Sequence, residues 1–177
     1  MLIIEGPDGV GKSTAVAKLH AHTGWKTRHM SKPESTFDHY LDYLRLAKED
    51  AVWDRFHLGS FAYGAIISKE GQNQTYERFR AVCRTLDFFG ATTVIMYASK
   101  DSWLTEALSR DHRDQMYDTA KIMAVNEVYR WMAVEASDSL EFRGIKFAHI
   151  IHDVCDYYPS DVQLAYWAEV AQTRIRG

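Results

Sequence analysis

Apolar residues recur along the chain in two alternating rhythms. Leu2-Ile3-Ile4 is a short continuous apolar run, followed by a glycine-rich turn and then by Ala15, Val16 and Leu19 at helical spacing. That order reads as strand, loop, helix. Thr27 to Ser31 predicts a second strand ended by Lys32-Pro33, and Phe37, Tyr40, Leu41 and Leu44 predict a helix behind a Ser35-Thr36 cap. Ala51-Val52-Trp53 forms a third apolar run, closed by Asp54-Arg55. Tyr76, Phe79, Cys83 and Leu86 mark a helix that Gly90 terminates, and the β-branched run Thr92-Thr93-Val94-Ile95-Met96-Tyr97 predicts a central strand. Trp103, Leu104, Ala107 and Leu108 suit a short helix, while Ile122, Val125, Tyr129, Met132 and Ala136 stripe a longer one. Ile145 to Ile151 predicts a final strand, and Leu164, Trp167, Ala168, Ala171 and Ile175 a closing amphipathic helix. Repeated β-α units with apolar strands imply a parallel sheet covered on both faces, an α/β fold of three layers.

Composition narrows the class. The 177 residues are 46% hydrophobic and 25% charged, enough to bury a core, and no linker, repeat or low-complexity stretch divides them. One domain over residues 1–177 is the expectation. A net charge of −3 argues against a surface built as a whole to hold duplex nucleic acid, though not against a local basic cleft. No apolar run reaches the roughly 18 residues that span a bilayer, and Met1 leads directly into Leu2 without a basic leader. A soluble, unprocessed, cytoplasmic chain without a membrane partner is expected. Cys83 and Cys155 lie far apart without metal-ligand spacing, so two reduced thiols are expected.

The first turn carries chemistry. Gly6-Pro7-Asp8-Gly9-Val10-Gly11-Lys12-Ser13 satisfies the Walker A pattern G-x-x-x-x-G-K-[ST], between a predicted strand and a predicted helix, where the mechanism needs it. Its glycines let successive backbone N–H groups face an anion, and the helix adds its positive end. Lys12 suits the β- and γ-phosphates of a nucleoside triphosphate, and the Ser13 hydroxyl suits Mg²⁺. Gly6, Asp8, Gly9, Val10, Gly11, Lys12, Ser13 and Thr14 are thus the expected ATP-binding residues, with ATP and Mg²⁺ as cofactors.

A P-loop does not name the acceptor. Ser99-Lys100-Asp101 does not match the [NT]-K-x-D guanine signature of GTPases, and the strand Val94 to Tyr97 ends in Ala98-Ser99 rather than in an acid. Asp54, at the close of its own apolar run, is the expected second metal residue, and Arg55 beside it suits bidentate contact with an acceptor phosphate.

These residues resemble a family. Ile4-Glu5-Gly6-Pro7-Asp8-Gly9-Val10-Gly11-Lys12-Ser13-Thr14 is similar to the opening of thymidylate kinases, and Asp54-Arg55-Phe56 with Ser60 and Ala62-Tyr63 is similar to their D-R-[YF]…S…A-Y segment. Arg110, Arg113 and the helix after them resemble the family's arginine-bearing lid, here near residues 109–118, and Asp54 to Gly59 resembles small phage-encoded members. The resemblance implies a P-loop kinase fold and a host cytoplasm. It implies that Asp8 faces the acceptor's 3′-hydroxyl, Arg55 its phosphate and Tyr63 its sugar or base, with Lys32 as a further cation. Gly9 stands where some members carry an arginine, so the catalytic cations become Lys12, Arg110 and Arg113, beside Asp54. A homodimer is also implied.

Three functions compete. The first is ATP-dependent phosphorylation of a deoxynucleoside monophosphate, dTMP or a related pyrimidine. The second transfers to a hydroxyl, of a deoxynucleoside or of a hydroxymethylated pyrimidine in phage DNA, with Glu34, Asp8 or Asp54 as base. The third is a nucleotide-binding module without catalysis. Phe37, Tyr40 and Tyr43 offer base stacking but at helical spacing read first as core, and His57 and His112 read first as polar filler.

Overall fold

The computed structural model describes residues 1–30, 39–66, 76–110, 118–139, 141–142, 145–146, 148–155 and 158–176. Among these, five strands form one parallel sheet: β1 (Leu2–Glu5), β2 (Thr27–His29), β3 (Val52–Asp54), β4 (Thr92–Tyr97) and, from the last strand region, Ala148–Asp153. A separate antiparallel pair precedes that last strand, β5 (Glu141–Phe142) with β6 (Ile145–Lys146), so the edge strand of the main sheet is β7. The order across the main sheet is β2-β3-β1-β4-β7. The helices are α1 (Lys12–Thr23), α2 (His39–Leu46), α3 (His57–Ile66), α4 (Tyr76–Phe88), α5 (Asp101–Arg110), α6 (Thr119–Ser139) and α7 (Asp161–Arg176).

Strand side chains alternate between two buried faces, which is why the strands read as continuous apolar runs. Leu2, Ile4, Val52, Val94 and Met96 pack with Leu19, Leu104, Leu108, Leu164 and Trp167 beneath α1, α5 and α7. Ile3 and Trp53 face the other way, with Tyr43, Phe56, Val82 and Leu86. Ile95 joins that second face through a neighbouring cluster of Leu58, Phe79, Val125 and Tyr129. Ile3, Ile4 and Ile95 are all fully buried, and truncating such a side chain to alanine costs about 2–5 kcal/mol. The three-layer α/β architecture predicted from the pattern is therefore the architecture of the protein.

Details differ at three places. The strand predicted over Ile145–Ile151 is split: Ile145 pairs antiparallel with Phe142, and the main-sheet strand starts at Ala148. Only two residues, Arg143-Gly144, separate Phe142 from Ile145, a spacing suited to a tight hairpin, but Ile145, Phe147, Ile150 and Ile151 carry one apolar pattern across the change of partner. The third strand takes in Asp54, whose Cα is level with Ile4, instead of stopping before it. Helix α3 was not foreseen, because Leu58, Phe61, Ala62, Tyr63 and Ile66 leave it little polar face to give a 3.6-residue rhythm. Strand β2 covers Thr27–His29, while Ser31, Lys32 and the Ser35-Thr36 cap lie outside the described residues. Among the described residues, no helix is long and apolar enough to cross a membrane.

The topology places the functional edge. Chain order reverses direction at β1, with β3 on one side and β4 on the other, and parallel α/β sheets open a crevice at such a switch, beyond the strands' carboxyl ends. Glu5, Asp54 and Tyr97 end the three strands there.

Candidate active site

The segment from Gly6 to Gly11 leaves β1 at this edge and turns into α1. Gly6 has φ 155°, and a Cβ on it would lie 2.4 Å from the Met96 carbonyl oxygen, so β4 approaches the loop too closely for any other residue. At Gly9, φ is 87° and a Cβ would lie 2.9 Å from Leu108 Cδ2 and 3.1 Å from Leu104 Cδ1. Helix α5 thus seats two leucines on the loop where a longer side chain at position 9 would stand. Gly11, also left-handed, is the N-cap of α1. Its carbonyl accepts a hydrogen bond from Tyr158 Oη at 3.0 Å. Lys12 is 5% exposed, and its ammonium donates to the Pro7 carbonyl across the loop.

Ser13 Oγ donates to Asp54 Oδ2 at 2.6 Å, bringing together the two residues expected to hold the metal. Asp54 is 7% exposed, and its Oδ1 is buried with no hydrogen-bond partner among the described residues. A buried carboxylate oxygen without a donor is costly, and a hard cation takes such oxygens readily, so the pair fits Mg²⁺ held by few protein ligands and completed by water and phosphate. His29 Nδ1 lies 3.6 Å from Asp54 Oδ2, a neighbour that the sequence reading did not single out.

Beside the loop, three further predicted residues converge. The Arg55 guanidinium forms an ion pair with the Asp8 carboxylate and lies over the Tyr63 ring, 5.4 Å from its centroid. Tyr63 Oη accepts a hydrogen bond from the Asp8 backbone N–H at 3.1 Å. Arg55 has φ 67°, alone among the described non-glycine residues in having a positive φ. Holding a non-glycine residue there costs about 1–3 kcal/mol and persists only where the surroundings enforce it. They do so here from β1: the Arg55 N–H donates to the Ile4 carbonyl at 2.9 Å, and the next turn is gripped by Glu5.

Glu5 is fully buried at the end of β1. Its Oε1 accepts from the N–H groups of Phe56 (2.8 Å) and Leu58 (2.9 Å). Its Oε2 accepts from Gly59 N–H (3.2 Å) and Tyr129 Oη (3.1 Å). Burial pushes its pKa up, and the four donors pull the other way. The same burial, with the Glu5 charge close by, pushes the Tyr129 phenol well up. The signal for Glu5 was present in the sequence as an acid ending an otherwise apolar strand, directly before a glycine.

Arg110 is the last residue of α5; it is exposed and paired with Glu106 one turn earlier. Charge attraction along the helix explains that contact. Arg113, His112, Lys32, Glu34 and Phe37 lie outside the described residues, as does most of the 109–118 lid. Tyr43 is core, 1% exposed, with its ring 4.9 Å from Phe56 and its hydroxyl at Ser60 Oγ. His57 is buried filler stacked on Phe79 at 5.6 Å, and burial lowers its pKa to about 3, so it stays neutral at ordinary pH. Cys83 is buried and Cys155 partly so; both are free thiols.

No protein-family model and no curated protein matches the chain. Among solved structures it is similar to the YorR protein from Bacillus subtilis, in complex with phosphorylated GDP, at 21% identity and a TM-score of 0.73 over 97% of each chain. It is also similar to deoxyadenosine kinase from M. mycoides with bound dCTP, at 12% identity and a TM-score of 0.54, over 98% of this chain and 100% of that one. The same kinase with products dCMP and a flexible dCDP bound gives 13% and 0.51, over 99% and 97%. At these identities the likeness is one of fold, and it runs nearly end to end.

Proposed function

We propose that the chain is an ATP-dependent phosphotransferase of the nucleotide-kinase type, and that its acceptor is a deoxynucleoside monophosphate, dTMP or a related pyrimidine. The observation that carries this reading is the adjacency of two half-sites. A phosphate loop with Lys12 and Ser13–Asp54 stands beside an Arg55–Asp8–Tyr63 group joined to the same loop through Asp8. The loop amides and Lys12 hold the ATP phosphates, and Arg55 takes the acceptor's phosphate. An acceptor phosphate oxygen bonds to the γ-phosphorus as the bond to the β-bridging oxygen breaks, and ADP leaves. No strong base is required, because the attacking oxygen is already anionic; what the protein supplies is alignment and positive charge. Ser13 and Asp54 would hold Mg²⁺, which would supply neutralisation of phosphate charge. Lys32, Arg110 and Arg113 are proposed as further cations that reach the phosphates when substrate is bound. A homodimer in the cytoplasm, of phage or other origin, completes the reading taken from the thymidylate-kinase resemblance.

Transfer to a hydroxyl, as the name of the deoxyadenosine kinase relative implies for that protein, is the second reading. Asp8 favours it, since a carboxylate beside the phosphate loop suits a base. A DNA acceptor would need basic residues aligned along a groove; Arg28, Lys18, Lys121, Arg130 and Arg174, all at least partly exposed, each lie within 4.0 Å of a carboxylate, while Arg80 and Arg84 are exposed one turn apart on α4. Incubation with γ-labelled ATP, Mg²⁺ and a panel of deoxynucleoside monophosphates, deoxynucleosides and hydroxymethylated DNA tests the proposal. Label in a pyrimidine diphosphate is expected. Label confined to a deoxynucleoside or to DNA would overturn the acceptor, and ATP binding with no transfer to any acceptor would leave a binding module.

A further inference from the structure

Glu5 belongs to the strand that feeds the phosphate loop, yet its bonds run to the acceptor side. The residue is fully buried, and its two oxygens take three consecutive-turn amides at 2.8, 2.9 and 3.2 Å and the Tyr129 hydroxyl at 3.1 Å. Those amides belong to Phe56, Leu58 and Gly59, at the start of the ten-residue helix α3. A carboxylate there answers both the unsatisfied N–H groups and the positive helix end. Immediately before them stands Arg55, tied through its own N–H to the Ile4 carbonyl. The left-handed Arg55 is thus clamped on both sides by β1: Ile4 fixes its amide, and Glu5 fixes the turn that follows. That conformation aims the guanidinium back at Asp8 and over Tyr63.

We infer that Glu5 is a positioning residue for the acceptor: through the 56–59 turn it fixes Arg55 relative to the phosphate loop, and so sets acceptor binding rather than ATP binding. The inference rests on the proposed function, in which Arg55 contacts the acceptor. A carboxylate is needed because each oxygen accepts two hydrogen bonds. A glutamine at position 5 would turn its NH₂ group against N–H or O–H donors on one side, leaving buried groups opposed. Asparagine or alanine would not reach the turn at all.

The test compares Glu5→Gln, Tyr129→Phe, Arg55→Ala and the Glu5→Gln/Arg55→Ala pair by steady-state kinetics on the full chain. Glu5→Gln is expected to raise the acceptor KM by about tenfold or more and to leave the ATP KM within about twofold, and Tyr129→Phe to shift it the same way by about threefold. On the Arg55→Ala background, Glu5→Gln is expected to add less than about twofold, because it acts through the guanidinium. Acceptor and ATP KM rising together, an unchanged acceptor KM in either folded variant, or full additivity in the pair would overturn it. Should Glu5→Gln not fold, Tyr129→Phe alone decides by the same criterion. A wild-type protein that transfers phosphate to no acceptor would overturn the proposed function instead. The Glu5 grip is then read from hydrogen exchange of the Phe56, Leu58 and Gly59 amides. Slow exchange that quickens in Glu5→Gln supports it, and fast exchange in the wild type overturns it.

Discussion

The phosphate loop and the Arg55 cluster lie side by side, but they are made in different ways. The loop is one contiguous run whose shape depends on backbone: left-handed glycines, a strand end behind it, the Met96 carbonyl beside it and two leucines of α5 against it. The Arg55 cluster draws Asp8, Arg55 and Tyr63 from three segments, and one of its members holds a backbone conformation that its own residue type disfavours. On the proposed reading, binding ATP phosphates therefore asks for a loop backbone that its glycines alone allow. Binding the acceptor asks for single side chains held by single contacts. The difference implies that damage to the first half-site will be severe but confined to a few residues, while the second will respond to changes several contacts away.

The largest expected effect tests the separateness of the loop. Lys12→Ala removes the one side-chain cation of the loop itself and is expected to lower kcat by about 10²–10³-fold, measured at saturating acceptor. Next comes the foundation beneath the acceptor side. His57 begins α3 and is fully buried, with a folded-state pKa of about 3 against 6.5. Because the folded value is depressed, the neutral ring's contribution is complete above pH 6.5 and is lost as pH falls from there toward 3. On the order of 3 kcal/mol should be gone by pH 4. Urea unfolding at pH 7 and pH 4 should show that loss in the wild type and a clearly smaller one in His57→Phe; equal losses would mean the ring is not held neutral.

A third, smaller effect separates side chain from backbone at position 55. Both Arg55→Ala and Arg55→Gly should raise the acceptor KM by about 10–100-fold, the range expected for a charge-assisted contact. Glycine relieves the positive φ, so Arg55→Gly should be more stable than Arg55→Ala by about 1 kcal/mol. Equal stabilities would mean that no strain is stored there. Smallest, Tyr63→Phe removes the acceptor of the Asp8 N–H bond while keeping the ring, and an acceptor KM shift of about fivefold is expected with ATP KM unchanged.

The same contrast explains what the sequence made legible. The P-loop, the helix after it and the Asp54-Arg55 pair were readable because each is a short local pattern at the end of an apolar run. The meeting of Ser13 with Asp54 follows once β1 and β3 are neighbours, since Ile4 and Asp54 are then level. Glu5 stands in the same motif, but nothing local marks it as the anchor of α3, because its four partners lie more than fifty residues away. Helix α3 escaped because it is buried on nearly every side, and the β5–β6 pair because an apolar strand run does not reveal where pairing changes partner. Arg110 rests on the resemblance alone, since no local pattern marks it, and in this structure it pairs with Glu106.

On the proposed reading, two adjacent half-sites bind different phosphates. Equilibrium binding of ATP and of the preferred acceptor to Lys12→Ala and Arg55→Ala, by calorimetry with Mg²⁺ present, tests it most directly. A crossed result is expected: Lys12→Ala loses ATP affinity by about tenfold or more and keeps acceptor affinity, and Arg55→Ala does the reverse. Both substitutions weakening the same ligand, or each weakening both ligands alike, would contradict it.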